Sequence, residues 1–80
     1  MEPRTEEQLA QDYSAMGDSV AVITAVIAGD SMAEADAEDR QDCVDRNVQH
    51  LELMVAKEDW GSEDMTAVNA AISAGNGYSA

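Results

Sequence analysis

Phenylalanine is absent from this 80-residue chain, which has one tryptophan, two tyrosines, one cysteine and one proline. Large side chains supply most of the apolar area that a core removes from water. The apolar fraction of 45% is therefore less generous than it looks, because much of it is alanine. A chain of this length buries only about 60–70% of its unfolded surface. The core is accordingly expected to be completed by a second copy, as a symmetric homodimer. A single cysteine, Cys43, excludes an intrachain disulfide and suits a reducing compartment or a buried thiol acting as a small hydrophobe.

Positive charge is equally scarce. Four Lys and Arg stand against seventeen Asp and Glu, a net charge of −13. Such a surface repels DNA, RNA and anionic membrane, which leaves basic protein surfaces or cations as partners. The longest apolar run lies between Asp18 and Asp30 and is too short to span a bilayer. The start, Met1-Glu2-Pro3-Arg4-Thr5-Glu6-Glu7, is the opposite of the basic, apolar opening of a signal peptide. These features point to a soluble intracellular protein or a component of a particle assembled inside a cell.

What the chain does contain is helical periodicity in three segments, and the expected fold is all-α. Thr5-Glu6-Glu7-Gln8 has the form of a capping box, with acidic residues at the positive end of the helix dipole. Leu9, Tyr13, Met16, Val20, Ile23 and Ile27 follow at spacings of four and three, giving a helix over 5–28 that ends at Gly29. The β-branched run Val20–Ile27 also fits a buried strand, but the stripe passes straight through it and no second strand exists to pair with it. Ser31-Met32-Ala33-Glu34 reads as a second capping box, opening a helix over 31–59 with the stripe Ala33, Ala37, Val44, Val48, Leu51 and Val55. A third helix, 62–74, starts at Ser62 as N-cap and carries Met65, Val68, Ala71 and Ile72. Gly75-Asn76-Gly77 reads as its stop, and 75–80 as a frayed tail. The first two helices should form an antiparallel hairpin, with the third folded over its Val48–Val55 end. The half from Ala33 to Gln41 would then lack cover.

The acidic residues concentrate in that half. Glu34, Glu38, Asp42 and Asp45 recur at four, four and three, which aligns them along one helix face, with Asp36 and Asp39 flanking. Carboxylates four residues apart lie about 6 Å apart along a helix axis. That repeat is comparable with the separation of phosphates along a nucleic-acid strand, so the row can occupy a DNA-binding groove in place of nucleic acid. The plainer reading is a solvated face that keeps a small protein soluble.

Other chemistry is poorly supported. Asp36-Ala37-Glu38-Asp39-Arg40-Gln41-Asp42 lacks the central glycine of a calcium loop and puts Arg40 at a ligand position. Cys43 and His50 on one helix are about 10 Å apart along its axis, beyond hydrogen-bonding reach. One cysteine and one histidine fall short of a zinc site. No glycine-rich phosphate loop opens a helix, and neither a cofactor nor an enzymatic activity is expected. Trp60 suits either a binding hot spot or the cover over one end of a small core, and the core reading is preferred.

The stretch from Asp45-Arg46-Asn47-Val48-Gln49-His50-Leu51-Glu52-Leu53-Met54-Val55-Ala56-Lys57 through Trp60, then Glu63-Asp64-Met65-Thr66-Ala67-Val68-Asn69-Ala70-Ala71-Ile72, resembles small proteins encoded by tailed bacteriophages. The resemblance covers roughly the C-terminal half and transfers no site residues. It implies a phage context, in which two roles suit a tiny acidic helical protein. One is an accessory protein in the host cytoplasm, its carboxylates engaging a basic, nucleic-acid-binding partner as a DNA mimic or host-factor inhibitor. The alternative is a minor virion component of the capsid, the tail or the particle interior.

Overall fold

Thr5 opens the first helix as the sequence predicts. In the computed structural model, which describes residues 4–61 and 63–80, α1 spans Glu6–Ala28. The Thr5 hydroxyl accepts from the Gln8 amide at 3.1 Å, and the Gln8 side chain accepts from the Thr5 amide at 2.9 Å. At the other end Gly29 takes a left-handed conformation, φ 81°. Its amide donates to Val26 O and that of Asp30 to Ala25 O, closing a Schellman turn over carbonyls the helix leaves open.

The second helix departs from expectation at both ends. It runs Ala37–Val55, not 31–59. Met32 has φ 56°, a left-handed conformation that a continuing helix excludes, and its half-buried side chain packs against the core. The chain turns there, with the Ala35 amide donating to Met32 O at 3.0 Å. Helix α2 then starts from Asp36 as an extended N-cap. Its far end is set by Trp60, whose indole N–H donates to Met54 O at 2.8 Å. Reaching back to that carbonyl requires the backbone to leave the helical path soon after Val55, so Lys57–Asp59 form a connection and not a last turn.

Helix α3 spans Thr66–Asn76, displaced from the expected 62–74. Ser62, the expected N-cap, lies outside the described residues. Asp64 serves the opening turn, its carboxylate accepting the Thr66 amide at 2.9 Å. Gly75 is no stop signal: it is buried inside the helix, where a Cβ would overlap Cγ2 of Val48 and lie 3.4 Å from Cγ1 of Val44. The missing side chain lets α3 close onto α2.

The three helices surround one core of Met16, Ile23, Val26, Val44, Val48, Leu51, Trp60, Val68 and Ala71. The expected stripes supply most of it, together with Val26, which widens the α1 stripe, but Val22 and Ile27 are exposed, and Ala33 and Ala37 face solvent. Helices α1 and α2 are antiparallel, as the pairings of Arg4 with Asp59 and of Ser19 with His50 require. Helix α3 extends past the Val48–Val55 end to Val44. The tail beyond it is docked, not frayed: Gln41 donates to Tyr78 O at 3.2 Å and accepts from the Ala80 amide at 2.9 Å. Tyr78 packs on the core, so the Gln41 end of α2 has cover that the sequence reading left out.

Candidate functional site

All six candidate carboxylates, Glu34, Asp36, Glu38, Asp39, Asp42 and Asp45, are exposed. The row on α2, however, has three members and not four. Glu38, Asp42 and Asp45 share a helix face, whereas Glu34 sits in the turn that Met32 imposes before the helix begins. Asp36 is the N-cap residue and makes no side-chain capping bond, while Asp39 lies with Glu38 in the first turn. Carboxylates at the helix start gain about 0.3–1 kcal/mol from the dipole. That offsets the few tenths of a kcal/mol by which like charges four apart repel. Of the row only Glu38 lies in that first turn, so the repulsion between Asp42 and Asp45 is not offset in this way.

Little neutralises it. The Arg40 guanidinium turns away from the row to donate to Ala35 O. Arg46 pairs with Asp42 at 2.9 Å, but both side chains are more than half exposed, at 78% and 57%. A pair so exposed contributes about 0–1 kcal/mol, so an incoming cation can replace Arg46. Asp45 accepts from Gln41 at 3.0 Å. Gln41 thus links the acidic face to the docked tail.

A second charged site lies at the opposite end of the hairpin, and the sequence reading missed it. Arg4 donates through Nη1 to Asp12 at 2.6 Å, through Nε to Asp59 Oδ2 at 2.9 Å, and through Nη2 to Asp59 Oδ1. Its Cζ also lies 4.3 Å from the centre of the Trp60 ring, a cation–π geometry. The paired guanidinium holds the Asp59 carboxyl down at about 2, while the Asp59 and Asp12 carboxylates push the Arg4 pKa upward. The available signal was that Arg4 is the only cation before Arg40.

Between α1 and α2, the mostly buried Ser19 and His50 share a hydrogen bond of 2.8 Å, Oγ to Nδ1. This pairing gives His50 a structural partner and satisfies a buried hydroxyl that would otherwise be costly. Cys43 is half-buried against the core, with Asn47 Nδ2 3.7 Å from its sulfur. Asp64 is held below the usual carboxylate range by its bond to Thr66. Among the described residues no group of three or more His, Cys, Asp or Glu is placed to hold a metal ion, and no helix is long and apolar enough to cross a membrane.

The fold and its charge define an acidic three-helix protein with an exposed carboxylate face on α2. Comparison with known protein families, curated proteins and solved structures finds no match.

Proposed function

We propose that this chain is a non-enzymatic bacteriophage accessory protein that binds a basic protein surface in the host cytoplasm, as a DNA mimic or host-factor inhibitor. The observation that carries the reading is the exposed row Glu38, Asp42 and Asp45, flanked by Asp36, Asp39 and Glu34 and left largely without internal cations. A helix with acidic groups spaced like phosphates suits a groove built for nucleic acid. Its binding is steered by charge and weakens as salt screens it. The test is affinity capture from host lysate over a salt series, with Glu38→Lys/Asp42→Lys as the control and particle fractions examined beside it. Recovery of a nucleic-acid-binding protein at low salt, lost with the variant, supports the reading. Stoichiometric copies in purified particles would favour a virion component instead.

The same reading includes a homodimer in the free state. The core holds few large side chains, and Leu53, Val22 and Ile27 remain exposed at 64%, 37% and 39%. A second copy covering part of this apolar surface adds the burial that a chain this small lacks.

A further inference from the structure

The Arg4 site combines two carboxylates with an aromatic face, the chemistry that recognises a guanidinium. Its aromatic wall is anchored without Arg4. Trp60 is held by its indole bond to Met54 O at 2.8 Å. Tyr13, whose ring centre is 6.4 Å from that of Trp60, donates to Asp64 O at 2.6 Å. Asp12 belongs to α1, and Asp59 to the connection between α2 and α3. Arg4 lies before the Thr5 N-cap, outside the span of α1. Asp12 and Asp59, each 35% exposed with Arg4 in place, flank the face of a tryptophan that is otherwise buried.

We propose that the Asp12–Asp59–Trp60 cage is a recognition site for an arginine side chain of a basic partner, kept closed in the free protein by Arg4 acting as an internal ligand. This deepens the proposed function and rests on it for the partner's basic character. The bidentate contact with Asp59 explains the choice of arginine: a lysine ammonium has the charge but not the planar fork. A tethered competitor acts at an effective concentration on the order of millimolar, so a partner arginine must displace Arg4 before it binds. The cage thereby favours partners that present an arginine among other basic residues, because contacts elsewhere on the acidic surface supply the remaining affinity.

Trp60 is the only tryptophan, so its emission reports this site alone. The full-length Arg4→Ala chain, checked for folding by circular dichroism, is titrated with N-acetyl-arginine amide at constant ionic strength and compared with the neutral citrulline analogue. The expected result is a saturable change with the arginine probe only, weaker in the wild type through competition with Arg4. It is lost in Arg4→Ala/Asp59→Asn. If Arg4→Ala fails to fold, Arg4→Lys, which keeps the charge and loses the fork, carries the test with a smaller gain in affinity over wild type. Equal responses to both probes, or equal affinities in wild type and variant, overturn the proposal and leave Arg4 as a latch on the chain's start. A saturable arginine response without any salt-sensitive protein partner would retire the DNA-mimic reading but keep the cage. The opposite outcome would retire the cage and leave the acidic row untouched.

Discussion

At the scale of single residues, Arg4 and Asp59 show how a scarce charge is used. With seventeen acidic groups and four cations, each cation is surrounded by potential partners, yet Arg4 finds two carboxylates and a tryptophan at once. The pairing lowers the Asp59 pKa from 3.8 to about 2. A carboxyl with a depressed folded-state pKa stabilises the fold when ionised, so its contribution is complete above about pH 5 and disappears as pH falls through its folded pKa. Acidification also relieves repulsion among the other carboxylates, so the signal must be read as a difference. Urea unfolding of wild type and Asp59→Asn from pH 7 to pH 2 should show the wild type more stable near neutrality. The gap should narrow below pH 4 and close near pH 2. A gap that is constant with pH would mean that Asp59 contributes by packing and not by charge.

Among elements, α3 comes close against α2 at Gly75. Adding a methyl group there improves helix propensity by about 1 kcal/mol. The added Cβ also meets Cγ2 of Val48, a stiff β-branched side chain, and overpacking of this kind costs about 1–3 kcal/mol. Gly75→Ala should therefore lower stability, and Val48→Ala in the same chain should recover part of the loss. Urea unfolding of the double-mutant cycle measures that coupling, and additive effects would show that the two positions do not meet. The same glycine shows where local reading ends. Gly29 ends α1 as expected because a left-handed turn is a local event, and the Thr5–Gln8 capping box forms because its partners are three residues apart. Gly75 in Gly75-Asn76-Gly77 has the local appearance of a stop, but its role depends on Val48, which no neighbouring residue reveals. Ser31-Met32-Ala33-Glu34 has the pattern of a capping box but adopts another structure, because burying Met32 outweighs the local signal. That shift removed Glu34 from the acidic row, while Glu38, Asp42 and Asp45 kept their common face. The Arg4 site was hidden for the same reason: Arg4 and Asp59 lie 55 residues apart.

For the whole molecule, a net charge of −13 makes opposite predictions for two kinds of association. Two copies of this chain repel one another, so a homodimer held by apolar contacts should strengthen as salt screens the repulsion. Sedimentation equilibrium from about 0.05 to 0.5 M salt, where the Debye length falls severalfold, should show the dimer fraction rising. A chain that stays monomeric throughout would remove the dimer. Binding to a basic surface has the reverse dependence, because the attraction itself is what salt weakens. The direction of the salt response therefore separates self-association from the proposed activity even when both involve the same helices.

On the proposed function, the exposed face of α2 binds a basic protein in place of nucleic acid. Affinity capture from host lysate across that salt range, with wild type beside Glu38→Lys/Asp42→Lys, tests it most directly. The expected result is a nucleic-acid-binding protein retained by the wild type at low salt, released as salt rises, and not retained by the charge-reversed chain. Capture that ignores salt and survives both substitutions would contradict it.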